Sequence, residues 1–497
     1  MSITPLLQCV VSFAPNNFRT IKMKKLNQLL MRKILILAFL TSSLIFVGCS
    51  DDDTPPIIVE TATCNDGILN NGETAIDCGG NNCQPCIEAV TPPSCTDGIL
   101  NGTETEIDFG GGCAGEITVT GLITENTTWT RNNIYFLGGK VVVGVGVTLT
   151  IEPGTIIKGN DGIGSLATAL IIQRGSTINA VGTPERPIIF TSEQDNIQVG
   201  QTAGTNLDQN DYGLWGGVLV LGNAPASLSG GVSEEQIEGI PASDTFGLFG
   251  GDDPTDDSGD LAYISIRHGG AIIGEANEIN GLTLGGVGTG TTINNIEIVA
   301  NEDDGLEIFG GSVNVSNIFV WSVADDGIDL DQAWSGTLDN GMVVQGLRSD
   351  SALELDGPEG DTTGGFTLNN ITLLGNTDAA GEGSRRIADY RDGLEALINN
   401  VYANGFSATQ LIRLNGDKSA TTYNEGLLTF SDWQLVLPAG VTDVTAMHTL
   451  NNITIPTDFI SDSSSWATAL MAGAQTVGAD TSAFSWTYSN TKANLGF

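Results

Sequence analysis

The chain has 497 residues, with 59 acidic against 19 basic side chains and a formal charge of −40. That balance argues against nucleic acid as a partner, because such binding rests on cations that neutralise phosphates, and it disfavours anionic lipid faces. It favours divalent cations.

Residues 1–48 read as an export signal. Met31-Arg32-Lys33 gives a basic start, residues 34–47 are an apolar run too short to span a bilayer, and Gly48-Cys49-Ser50 follows. A start at Met23 or Met31 gives the better signal. Six of the 19 basic residues and no acidic ones lie in this region, which leaves 13 against 59, a formal charge of −46. Phe46-Val47-Gly48-Cys49 resembles a bacterial lipobox, with Phe in place of the usual Leu. The resemblance implies lipidation of Cys49. Ser50-Asp51-Asp52-Asp53 resembles the Bacteroidota-type signal that sends lipoproteins to the outer face of the outer membrane. Residues 49–63 are then a lipidated tether, and the lipid is the expected membrane anchor.

Residues 64–115 hold two related cysteine-rich units. The first runs from Cys64 through Cys78 and Cys83 to Cys86, and the second has Cys95 and Cys113 but Phe109 and Glu116 where the partners of Cys78 and Cys86 would stand. Two cysteines lost together point to a bonded pair. The expected bridges are Cys64–Cys83, Cys78–Cys86 and Cys95–Cys113, in keeping with an exported chain. Zinc is the alternative use of these thiols. Asp66, Asn70, Glu73 and Asp77, with Asp97, Asn101, Glu104 and Asp108 in the second unit, are hard oxygen donors around glycine turns and suit calcium, although the spacing is not that of an EF-hand. Plain turn chemistry is the other reading. Units this small need such staples, and together they are expected to form a stalk.

From residue 116 the composition turns to short β-branched strands. Val147-Thr-Leu-Thr-Ile151 is echoed by Ser176-Thr-Ile-Asn-Ala180 and by Pro187-Ile-Ile-Phe-Thr-Ser192, and Leu214-Trp215-Gly-Gly-Val-Leu-Val-Leu-Gly-Asn223 follows. These phrases resemble a group of bacterial surface lipoproteins, which implies a fold and a location but no activity. Asp252, Asp253, Asp256, Asp257 and Asp260 mark an acidic loop. One phrase then recurs, an aliphatic residue, any residue and an asparagine, at Asn295, Asn317, Asn340, Asn370, Asn400 and Asn452. The intervals are 22, 23, 30, 30 and 52 residues, the period of a solenoid. Asparagine tolerates the left-handed conformation at a corner, and stacked amides can bond from coil to coil. The pattern resembles the asparagine ladder of pectate-lyase-like proteins. The fold class is therefore all-β, a right-handed single-stranded parallel β-helix over residues 116–497, closed by a cap around residues 458–487.

Three successive coils carry acidic phrases: Asp303-Asp304-Gly-Leu-Glu307, Asp325-Asp326-Gly-Ile-Asp329-Leu-Asp331 and Asp350-Ser-Ala-Leu-Glu354-Leu-Asp356. Strand alternation turns the aliphatic residues inward and places Glu307, Asp329 and Glu354 outside, with Asp331 and Asp356 two residues along. Asp303, Asp325 and Asp350 stack at the preceding corner. No Lys or Arg occurs between Arg267 and Arg348, where twelve carboxylates fall. Like charges stacked at the strand spacing repel, so a bound Ca²⁺ or shared protons must compensate them. The candidate metal ligands of this wall are Asp303, Asp304, Glu307, Asp325, Asp326, Asp329, Asp331, Glu354 and Asp356.

Three functions stay open. The leading one is a non-catalytic, calcium-dependent module that binds a glycan or a surface protein, with Trp321 and Trp334 as aromatic platforms beside the carboxylates. The second is a β-helix polysaccharide lyase or glycoside hydrolase, with Asp329, Asp331, Glu354 and Arg391 as its machinery, since paired carboxylates at this spacing permit glycosidic chemistry. Against it, His268 and His448 are single and no His-Gly lies near the rows. The third is an accessory subunit of an outer-membrane uptake complex. The aromatic residues have a second use, as a small core under the C-terminal tail.

Overall fold

The computed structural model describes residues 64–496, except 66, 71, 87–94, 96–98, 105, 108, 273–277 and 378–384. The signal region, Cys49, the tether, Asp66, Asp97 and Asp108 lie outside the described residues.

Two compact units divide at Ala89/Val90. In the first, Cys64 is bonded to Cys83 and Cys78 to Cys86. In the second, Cys95 is bonded to Cys113. All three bridges are those expected from comparing the repeats, and they leave these thiols unavailable to zinc. The second repeat is not a free stalk segment. Phe109, which stands where the first repeat has Cys78, is buried in a satellite cluster with Ile134, Ile156, Ile189, Ile197 and Val199 of the β-helix wall. Arg131 stacks over its ring at 4.0 Å and pairs with Glu106 at 3.3 Å. Where the first repeat has a disulfide, the second has a hydrophobic plug.

Among the described residues, 24 strands of the β-helix join in one continuous sheet, with parallel pairing from coil to coil. Each later coil has one long strand bent in the middle and one short strand. Thr292–Val299, Val315–Trp321, Thr337–Val344, Gly365–Leu374, Glu395–Asn404 and Leu428–Leu435 are the long strands, stacked in register. Asparagine makes the bend. Asn295, Asn317, Asn340, Asn370 and Asn400 have φ between 54° and 65°. The left-handed residue resets the in–out alternation, so Ile293, Ile296 and Ile298 all enter the core although the first two are three apart. Tyr263 and Asp432 occupy the same corner in flanking coils, with φ of 51° and 55°.

The corner amides do bond between coils, but not always at one position. Asn340 donates to Asn317 at 2.7 Å, whereas Asn370 and Asn400 donate sideways to Asp339 and Asn369, at 2.8 and 2.9 Å. The phrase at Asn452 belongs elsewhere. Its strand, His448–Asn451, pairs with Leu411–Asn415 in the ladder of short strands, and Asn451 donates to Asn415 at 3.0 Å. An aliphatic-x-Asn phrase specifies a corner locally, without saying which corner of the coil it forms.

The short strands are Val218–Leu221, Leu282–Gly285, Leu306–Phe309, Ile328–Asp331, Ser351–Leu355, Arg386–Tyr390, Leu411–Asn415 and His448–Asn451. Their inward residues, including Leu306, Ile308, Ile328, Leu330, Leu353 and Leu355, are fully buried in the main core. Each such side chain contributes about 1.5–3 kcal/mol, which fixes the register and with it the outward residues.

Past Phe459–Trp466 the chain forms a strap, not merely a cap. Asp480 N–H donates to Asn340 at 2.6 Å, Phe484 packs edge-on against Phe319, and Tyr488 lies against Trp321. Glu297 anchors its last turn by accepting from the Tyr488 and Ser489 N–H groups at 3.2 and 2.7 Å.

Candidate metal centre

The register of the short strands aligns one outward residue per coil. Thr283, Glu307, Asp329, Glu354, Asp389 and Arg413 form one column. The expected column Glu307–Asp329–Glu354 is therefore present. Its expected openness is kept only in part, since Asp329 and Glu354 are half-buried. Glu307 is 6% exposed and Asp389 0%. The segment between Ala226 and Phe249 overlies this face, with Leu228, Ile237, Ile240 and Phe249 packed on Phe309 in a second apolar cluster. Asn280 donates its amide to Glu307.

At the preceding corner the inner carboxylates make a staircase. Asp304 accepts the Asp326 N–H at 2.8 Å, and Asp326 in turn accepts the Ser351 N–H. Each carboxylate thus satisfies the backbone of the next coil with one oxygen and directs its charge into the wall. Three groups result, in which ligand oxygens lie within 4.8 Å of one another: Asp303, Asp304 and Asp325; Asp304, Glu307 and Asp329; and Asp325, Asp326 and Asp350. The first and third are the stacked corner foreseen from the sequence. Asp329 Oδ1 is buried with no hydrogen-bond partner among the described residues.

Compensation differs along the wall. At its C-terminal end Arg391 bridges Glu354 and Asp356, Arg413 forks onto Asp389 with Nε at 2.7 Å, and Arg386 lies 3.5 Å from Asp350. Among the described residues, none of Asp303, Asp304, Glu307, Asp325, Asp326 and Asp329 has a Lys, Arg or His within 4.0 Å. Burial, reinforced by the neighbouring carboxylates, raises every one of these acids. Asp303 is pushed up to about 7 by burial and then by Asp325. Asp304, Glu307, Asp326 and Asp329 stand well above the usual carboxylate range, burial again coming first. Asp331 and Glu354 reach about 7, in Glu354 despite the opposing charge of Arg391.

Of the four residues of the enzyme reading, Asp329 and Glu354 are register neighbours in the column. Arg391 touches Glu354, and its charge also acts on Asp329 and Asp331. Asp331 and Asp356 line a cleft with Ser229, Glu359, Asp392 and Lys418.

The aromatic platforms are corrected. Trp321 is 7% exposed and packs under the strap with Phe319, Met342, Phe484 and Tyr488. Trp334 is 1% exposed, stacks on Phe366 at 5.6 Å inside the main core and donates its Nε1 to Val313 O. Trp321 does point away from the main core, as alternation requires, but the strap covers that face. Neither ring can stack on a ligand. In the first small unit the carboxylates of Glu73 and Asp77 serve turns. Glu73 accepts the Asp77 N–H at 3.0 Å and the Asn70 N–H at 3.5 Å, and Asp77 accepts the Gly67 N–H at 2.9 Å. Glu104 repeats this with the Asn101 N–H at 3.0 Å.

Asp389, Arg413 and Asn280 belong to the site and carried little signal. Asp389 sits between Ala388 and Tyr390 rather than between two leucines, which hides the repeat of the acidic phrase. The chain is matched by a family model, the pectate-lyase like beta helix domain, over residues 121–491. The chain belongs to this family. No curated protein matches the chain, and no solved structure does.

Proposed function

We propose that this pectate-lyase-like β-helix protein is a calcium-loaded, non-catalytic binding module that holds a glycan or a surface protein. On this reading it is displayed on the outer face of the outer membrane through lipid on Cys49. The observation that carries the proposal is the uncompensated half of the acidic wall. Among the described residues, six carboxylates from two successive coils have no cationic side chain within 4.0 Å, and one buried Asp329 oxygen has no partner. A hard divalent ion fits a donor set made only of oxygens, and Ca²⁺ accepts the irregular geometry that such a set offers. Asp304, Glu307 and Asp329 would hold it most deeply, with Asp303, Asp325, Asp326 and Asp350 as a second, shallower set. The ion would supply charge compensation and cross-brace adjacent coils. Calcium titration by calorimetry tests this, with heat of binding expected for the wild type and strongly reduced for Asp329→Asn.

A second reading is favoured by the cleft at Asp331. A carboxyl near 7 beside Asp356, with Arg391 in reach, suits an acid/base pair acting on a glycosidic bond. Incubation with a polysaccharide panel separates the two. Reducing-end or unsaturated products that disappear in Asp331→Asn would establish catalysis, and retention without turnover would support the binding module.

A further inference from the structure

The last coil carries a groove that the acidic wall does not use. Strand Leu428–Leu435 and the helices Gly416–Asn424 and Phe459–Trp466 converge there. Phe430 and Trp466 stack with centroids 4.6 Å apart and planes at 24°, and Tyr423 lies 6.3 Å from Phe430. Trp433 and Phe459 brace this pair from within and are fully buried, whereas Phe430, Trp466 and Tyr423 are only partly so. The stack thus continues outward into a groove rimmed by Asn424, Asp458 and Asp462. Tyr423 is pinned in place by donating to Asp462 at 3.1 Å. Thr457, in the same lining, has a buried hydroxyl without a partner among the described residues. A second cleft that shares both Phe430 and Trp466 is lined by Asp432, Gln434, Ser465 and Thr468.

We infer that this groove seats a neutral glycan chain laid across the Phe430–Trp466 pair. The inference rests on the glycan-binding reading above and moves the seat from the acidic wall to the end of the coil stack. An aromatic floor within a largely polar lining is the chemistry of a sugar site, where ring C–H faces meet aromatic carbon and hydroxyls meet carboxylate and amide. Two clefts sharing one ring pair suit an extended chain rather than a single compact molecule. The charge selects among glycans. Asp432, Asp458 and Asp462 stand around the two clefts, and among the described residues no Lys, Arg or His lines either one. A polyuronate, sulfated or phosphorylated chain would meet like charge here, which favours an uncharged chain over it, although the family's name points to an acidic polysaccharide.

The test uses the full mature chain in affinity electrophoresis through soluble glucan, mannan, xylan and polygalacturonate, each with calcium and with chelator. Retardation by one of the neutral polymers is expected, unchanged by chelator and absent with polygalacturonate. Trp466→Leu should weaken it by about tenfold, the loss of one aromatic contact of this kind. Asp462→Asn, on the exposed rim, should weaken it too while melting like wild type. Failure of every neutral polymer, or unaltered retardation in both variants, would overturn the groove. Retardation that vanishes in chelator would place the ligand on the acidic wall instead, and would leave the calcium reading standing.

Discussion

Replacing Asp329 by Asn should change stability in opposite directions with and without calcium. The ligand oxygens of Asp304, Glu307 and Asp329 lie within 4.8 Å of one another. At an effective dielectric of about 20, two full charges at that separation repel by about 3.5 kcal/mol. Asp329→Asn removes two of the three pairwise repulsions. In chelator the variant should therefore melt higher than wild type, by an amount that shared protons reduce but do not reverse. With calcium the order inverts. A site filled at one hundred times its Kd stabilises the wild type by about 2.7 kcal/mol, and the variant forfeits most of that with its charged ligand. Thermal melts followed by circular dichroism, in millimolar calcium and in chelator, read both halves. A variant that melts higher than wild type to the same degree in both buffers would refute the reasoning, because proton sharing would then be the whole compensation.

The same wall sets a pH dependence in chelator. Asp303, Asp331 and Glu354 keep their protons to about 7 when folded, whereas in the unfolded chain such carboxyls titrate near about 4. Between those values the folded state binds more protons, so stability is greatest at the acidic end and falls as pH rises toward 7. Urea melts at pH 4.5 and 7.5 should show that fall, and added calcium should flatten it. Arg413→Met leaves Asp389, 0% exposed, with only Arg386 at 3.8 Å. A loss of about 3–5 kcal/mol is expected by chemical denaturation, and Asp389→Asn in the same chain should recover much of it. Phe109→Ala empties the plug under Arg131, a change of about 3–5 kcal/mol for a buried ring. Hydrogen exchange should rise in residues 99–113 and in the wall strands that the ring touches, with the later coils unaffected.

How much of this was legible follows from what each residue answers to. The corners were legible because the left-handed conformation is a local demand that asparagine meets, and five of the six phrases lie in one ladder. Asp432 and Tyr263 take the same corner without the signal, since neighbouring coils can hold a residue that would not choose that conformation alone. The acidic column was legible because alternation is fixed by Leu306/Ile308, Ile328/Leu330 and Leu353/Leu355. Its burial was not. The cover over Glu307 comes from residues 226–249, whose contact with Phe309 depends on a loop path that no period encodes. Trp321 and Trp334 mark the same limit. Alternation placed Trp321 outside, but the strap that returns from Asp480 to Tyr488 covers it, and Trp334 turns inward from a loop that has no alternation to follow. The disulfides were legible from a comparison inside the chain, while the role of Phe109 required its docking partners.

The central claim is that oxygen atoms from consecutive coils together hold a metal ion. A crystal grown in calcium, with anomalous data collected, tests it most directly. The account predicts an anomalous peak about 2.3–2.6 Å from oxygens of Asp304, Glu307 and Asp329. Carboxylates at hydrogen-bonding distance from one another, with no peak among them at saturating calcium, would contradict it.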